Sequence, residues 1–214
     1  MAKLNAGSSK VVLPTVTVGK TTYELPAFSF AIATMNPVEL GQGTFPLSEA
    51  ATDRFAIMVT IGYLPAADEE RLVNFDFKRV RLNCLLAKER IIELRGRISE
   101  HVFLHERLGR YIQRLVAATR PYNPDTEWHE RSPSELVERG VDLGASPRAI
   151  VCWGRLAKVW ALLERHRTEV YPEDIQDLAP YVLGHRVWLG PHAASHGLTV
   201  DLVIKDVLER VPIP

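Results

Sequence analysis

Arg148 stands where a cation is unwelcome. Ser146-Pro147 has the form of a helix cap followed by proline at the first helical position. Arg148 therefore falls in the first turn, against the positive end of the helix dipole. A helix N-terminus is also an anion site, and a guanidinium there would join the backbone N–H groups in holding a phosphate. A local rule broken without local gain points to function. The plainer reading is an exposed arginine, tolerated at a cost of a few tenths to about 1 kcal/mol. Asn36 follows an apolar run, residues 28–34 (FSFAIAT), and precedes Pro37. An amide just past the carboxyl end of a buried strand lies where open α/β sheets take ligands; an Asn-Pro pair also makes an ordinary turn. Arg54 lies between Asp53 and the apolar run 55–61, within reach of surface pairing with Asp53 or Glu49.

Other groupings fail on chemistry. Gly19-Lys20-Thr21 resembles the end of a phosphate-binding loop, but the position five residues earlier, where glycine is needed, is Pro14. A hairpin turn explains it better. Asp68-Glu69 follows Pro65 and suits a helix start rather than an acidic pair for Mg²⁺. His192 and His196 are four apart with no Glu after the first and no third ligand nearby, which argues against zinc. Gly41-x-Gly43 lacks the rest of a dinucleotide fingerprint. Lys78, Arg79 and Arg81 form one short basic run, the mark of a solvated face.

The elements that must position these residues divide by pattern. The chain has 214 residues, 46% of them apolar and 24% charged, an ordinary globular balance. Lys plus Arg number 26 and Asp plus Glu 26, so bulk charge does not advertise nucleic acid. Cys84 and Cys152 are too few for a disulfide framework and read as buried thiols. No apolar stretch is long enough for a membrane span and no signal peptide opens the chain, so the expected place is the cytoplasm. Up to residue 65 the pattern is strands: 11–18 and 21–25 around the Gly19-Lys20 turn, then 28–34 and 55–61 as buried strands, with a short helix at 48–53. Beyond 65 it is helical. Helices are expected from Pro65, over 84–99 and over 105–119, with a polar loop across 120–144. Further helices start at Pro147, Pro172 and Thr199. In the Pro147 helix Ala149, Trp153, Leu156, Trp160 and Leu163 form the inward stripe. Trp188 and Trp128 are open between core and interface, and His185-Arg186 reads as favourable charge after a helix C-terminus. The expected fold class is α/β plus α, in two parts, 1–65 and 66–214.

Three segments together carry a resemblance. They are Ala33-Thr34-Met35-Asn36-Pro37-Val38-Glu39 with Gly43-Thr44-Phe45-Pro46-Leu47-Ser48-Glu49 and Asp53-Arg54-Phe55; Gly144-Ala145-Ser146-Pro147-Arg148-Ala149; and Tyr171-Pro172-Glu173-Asp174-Ile175 running to His185-Arg186. In this order and spacing the chain resembles the C-terminal half of MoxR-type AAA+ ATPases, from about Val16 to Pro214. The resemblance implies the C-terminal strands of an AAA+ core in 1–65, and a helical linker with the lid domain in 66–214. It implies three roles: Asn36 as sensor 1, orienting the attacking water; Arg54 as an arginine finger reaching a neighbouring subunit's nucleotide; Arg148 as sensor 2, contacting phosphate from the lid. A guanidinium at the second place would neutralise charge developing on the γ-phosphoryl group.

ATP and Mg²⁺ are the implied ligands, an AAA+ ring, hexameric in the family, the implied assembly, and a von Willebrand factor A domain protein an implied partner. The family's activity is ATP hydrolysis coupled to chaperone-like maturation of protein complexes. The Walker A loop and Walker B acidic pair of that family are not in this sequence. The chain is therefore expected to be the C-terminal portion of such an enzyme, and to hydrolyse ATP no faster than a buffer blank by itself. The competing reading is a non-catalytic helical module that binds or regulates a full-length ATPase ring.

Overall fold

In a computed structural model the described residues are 15–26, 28–35, 48–123 and 132–214. Asn36, the Gly41-x-Gly43 pair, Trp128 and residues 1–14 lie outside them. The described residues fall into two compact units: one takes 15–35 with 83–95, the other 48–82 with 96–214.

In the first unit, β1 (Thr15–Val18) pairs antiparallel with β2 (Thr21–Glu24), Val18 opposite Thr21. Gly19 has φ of +63°, the left-handed turn conformation that glycine adopts without strain. This is the hairpin the sequence predicts. Residues 28–34, expected as a buried strand, form no strand and are largely exposed, as is 55–61 in the second unit. An apolar run becomes a strand only when a neighbouring strand takes its backbone groups, and among the described residues neither run has such a strand beside it.

The second unit carries the core. A short helix α1 (Glu49–Thr52) is followed by α2 (Ala66–Leu72), where Pro65 precedes the helix and Asp68 and Glu69 fill its first turn. Helix α3 (Lys88–His101), of which residues 88–95 belong to the first unit and 96–101 to the second, starts later than expected, and Leu85 and Cys84 before it are exposed, so Cys84 is not a buried thiol. Helix α4 (Glu106–Ala118) buries Leu108, Tyr111, Ile112, Leu115 and Val116, the stripe its periodicity predicts.

The expected loop across 120–144 contains α5 (Glu135–Gly140), capped by Ser134 on the Val137 N–H, and β3 (Val141–Leu143). β3 pairs antiparallel with β4 (Trp188–Leu189), Val141 opposite Leu189. A short helix, α8 (Pro191–Ser195), then leads to α9 (Val200–Arg210), capped by Thr199 and burying Val203, Ile204 and Val207.

Helix α6 (Pro147–Leu163) is the centre, packed against α4 and α7 (Pro172–Leu183). Its buried residues are Ala149, Trp153, Ala157 and Ala161, at intervals of four. Trp160 and Leu156 are only half-buried and Leu163 is exposed. The stripe is rotated from the one expected because the alanines let neighbouring helices approach closely, and close approach decides the buried face. Trp153 is the one large residue on that face; its Nε1–H donates to the Ile175 carbonyl at 3.1 Å. At the start of α7 the buried Asp174 carboxylate accepts from the Tyr171 N–H at 2.8 Å and from Arg167 at 2.7 Å, so a buried charge is paired and caps a helix at once.

Trp153→Ala is expected to cost about 3–5 kcal/mol, through the cavity it leaves and the lost Nε1–H bond to the Ile175 carbonyl. Urea unfolding measures it; a loss below about 1 kcal/mol would show that the alanine face, not Trp153, holds α6 in place.

Candidate functional site

The second unit contains a cleft of about 530 Å³ whose lining includes Asp53, Arg120, Ser146, Arg148, Arg186 and Trp188. Its floor starts at the end of α4. The Thr119 hydroxyl donates to the Val116 carbonyl at 2.7 Å and accepts from the Ala145 N–H at 2.9 Å. Arg120 Nε–H donates to the Ala145 carbonyl at 2.8 Å. A Cβ on Gly144 would collide with the Thr119 and Arg120 backbone, so only glycine lets the two segments meet here. That contact sets the direction in which Ser146 enters α6. Ser146 then caps the helix, its hydroxyl accepting from the Arg148 N–H at 3.2 Å.

Asp53, the residue after α1, is the acid of the site. It accepts from the Ser146 hydroxyl at 2.9 and 2.8 Å, from Arg186 Nε–H at 3.1 Å and from Arg148 Nη1–H at 3.4 Å. Burial pushes its carboxyl up, but hydrogen bonds from Ser146, Arg186 and Arg148 outweigh that and hold it below the usual carboxylate range. The carboxylate also lies beside the α6 N-terminus. It supplies the negative charge that a cation in the first turn otherwise lacks. Arg148 therefore does have a local partner, though a loose one, and its side chain remains 60% exposed at the cleft.

Arg186 is the residue that sequence reasoning undervalued. Its side chain is 2% exposed, and its five N–H groups meet five acceptors. Nε donates to Asp53 Oδ1. Nη2 donates to the carbonyls of Asp53 at 3.1 Å and Phe55 at 2.5 Å. Nη1 donates to the carbonyls of Ala56 at 3.3 Å and Val182 at 2.5 Å. His185 Nε2–H adds a bond to the Phe55 carbonyl at 3.0 Å. Burial, first, and the Arg186 charge pull the His185 imidazole below its ordinary value. The signal available in the sequence was the juxtaposition of Asp53 and Arg186 in segments the resemblance already linked, but no local pattern pairs them.

Arg54 is exposed, and among the described residues it has no ion-pair partner. The pairing with Asp53 left open above does not form, because Arg148 and Arg186 take that carboxylate. The site therefore brings Arg148 and Asp53 together but not Arg54, while Asn36 is outside the described residues. Cys152 is half-buried, its thiol against the Ala56 carbonyl at 3.4 Å, and burial pushes it up. His192 and His196 stack at 4.2 Å, and among the described residues no group of three His, Cys, Asp or Glu could hold a metal ion. No described helix is long and apolar enough to cross a membrane.

Chemically, the cleft offers the N-terminus of a long helix with the guanidinium groups of Arg120, Arg148 and Arg186 in its lining, a donor set that suits phosphate oxygens. Residues 134–207 match the AAA lid domain, and residues 10–57 match the ATPase family associated with various cellular activities (AAA). The Bacillus subtilis protein YeaC is 34% identical over 93% of this chain and 57% of its own length. Chaperone MoxR1 of Mycobacterium tuberculosis is 32% identical over 93% of this chain and 50% of its own. A crystal structure from Cytophaga hutchinsonii, assigned as an ATPase, superposes with a TM-score of 0.75 at 32% identity, covering 94% of this chain and 58% of that one. The chain spans about half the length of the curated relatives it matches.

Two outcomes follow from the site. Asp53→Ala strands the Arg186 charge and is expected to cost about 3–5 kcal/mol in urea unfolding. His185 is neutral when folded and takes up a proton more readily when unfolded, since its folded value lies below 6.5. Stability should therefore be level above pH 7 and fall as the pH drops through and below 6.5. His185→Gln keeps a donor for the Phe55 carbonyl and should flatten that fall; an unchanged slope in thermal unfolding from pH 7.5 to 5 would assign it to other groups.

Proposed function

The chain belongs to the MoxR-type AAA+ ATPases, and on that footing we propose that it supplies two arginines to ATP chemistry. Arg148 contacts the phosphates of a nucleotide bound beside its own α6. Arg54 reaches the nucleotide of the adjacent subunit in a ring. The observation that carries the reading is Arg148 itself: a largely exposed guanidinium in the first turn of a 17-residue helix, facing a cleft and tied to Asp53 by one 3.4 Å contact. An incoming phosphate can take that guanidinium while Ser146 and Arg186 keep Asp53 in place.

The reaction is attack of water on the γ-phosphoryl group, giving ADP and phosphate. Asn36, by family resemblance, orients the water. Arg54 meets the charge that builds on the transferring group, an electrostatic role that needs reach and position rather than proton transfer. The donor set fits phosphate. It does not fit Mg²⁺, for which the described residues offer no ligand cluster, and no step here is routed through the metal. We read 1–65 as part of an AAA+ core and 66–214 as linker and lid, acting as the C-terminal portion of a cytoplasmic, hexameric machine. The name of the relative Chaperone MoxR1 supports a chaperone task; maturation of protein complexes, and a von Willebrand factor A domain protein as partner, are what the family resemblance implies.

A second reading, a non-catalytic module acting on a full ring, is favoured by the exposed side chains of Ile61, Tyr63, Val73 and Leu82. The two readings separate in one assay. The chain alone should hydrolyse ATP no faster than a blank. Added to a full-length MoxR-type ATPase with its own Walker A loop, it should change the rate, and Arg54→Ala should remove the change. If Arg54→Ala acts like wild type, the non-catalytic module is the better account. Arg148→Ala should weaken ADP binding roughly tenfold or more, the worth of one charge-assisted contact, read by calorimetry.

A further inference from the structure

The geometry points to Arg186 as a positioning residue for Arg54: through the backbone on both sides of Arg54 it fixes that arginine to the helical lid. The inference rests on the trans-acting role given to Arg54 above.

Arg54 belongs to no helix or strand. α1 ends at Thr52, and Arg54 keeps only a 3.3 Å turn bond from its N–H to the Ala51 carbonyl. A finger that must place charge on a neighbour's phosphate needs more than this, since a displacement of about 1 Å can cost two orders of magnitude in rate. The added constraint comes from Arg186. Three of its bonds go to the carbonyls of Asp53, Phe55 and Ala56, the residues that flank Arg54, and a fourth to the Asp53 carboxylate. The fifth anchors it to Val182 in α7. The segment is held further along by the Met58 N–H on the Tyr181 carbonyl at 2.9 Å. A planar fork with five N–H groups can bridge all these acceptors; an ammonium with three cannot. A buried ion pair is a poor route to stability alone, and its best use is to select one geometry. Asp53 also accepts from Arg148. The same carboxylate thus joins the phosphate-sensing residue of one site to the mount of the residue that serves the next.

The test uses the whole chain as wild type, Arg186→Lys, Arg54→Ala and the double variant. Each is mixed with the full-length MoxR-type ATPase. Arg186→Lys should raise backbone hydrogen exchange across 53–58 at least about tenfold, with α4 and α7 changed less than about twofold. In the mixed ring it should lower kcat to near the Arg54→Ala level and leave KM for ATP within about twofold, because Arg54 acts on the transition state. The double variant should be no worse than Arg54→Ala alone. Unchanged exchange, a shift in KM alone, or an additive double variant overturns the proposal. If Arg186→Lys does not fold, Asp53→Asn takes its place in the same cycle, with a smaller loss expected because the carbonyl bonds remain. If wild type and Arg54→Ala act alike, the trans-acting reading itself has failed and the proposal falls with it, an outcome told apart because no variant then differs in the ring.

Discussion

A buried guanidinium must find five acceptors or pay for each one missing, and this constraint shapes the site. Arg186 satisfies it with a carboxylate and four carbonyls drawn from two distant stretches of chain. The irregular segment after α1 is therefore not free to find its own path. Its carbonyls are the acceptors that make Arg186 tolerable inside the protein, and Arg186 in turn replaces the sheet partners that the segment lacks among the described residues. Neutral His185 sits beside it for the same reason: a second buried cation would cost far more than it returned.

Around this hub the bundle is arranged by close approach. Gly144 brings the chain against the end of α4, Ser146 then caps α6, and the alanine face of α6 lets α4 and α7 draw in around Trp153. The result is that Ser146 and Asp53 meet, and with them Arg148. The N-terminus of α6 thus comes to lie in a cleft with the Asp53 carboxylate already holding Arg148. Charge at the cleft is local and placed, which is consistent with a chain whose 26 basic and 26 acidic residues cancel in bulk.

Much of this was legible in the sequence wherever the signal was local. The caps at Ser146 and Thr199, the stripe of α4, the start of α7 at Pro172 and the Gly19 turn follow from spacing and side-chain chemistry within a few residues. Family membership was legible for a different reason: three short motifs in one order are jointly specific, and the lid and AAA matches cover the segments that carry them. The apolar runs at 28–34 and 55–61 were misread as strands, because composition reports a wish to be buried and not a partner. The stripe of α6 was misread because large side chains were assumed to point inward where alanines do.

By itself, then, the sequence determined most of the longer helices, the caps at Ser146 and Thr199, which family the chain resembles, and that Arg148 stands in a first turn. Tertiary structure alone decided that Asp53 belongs to Ser146, Arg148 and Arg186 rather than to Arg54. It also decided that Arg186 is a buried hub and not a charge at a helix end. The physical reason is range. Periodicity and capping act over a few residues, whereas Asp53 and Arg186 are 133 positions apart and their bond exists only once α6 and α7 have packed.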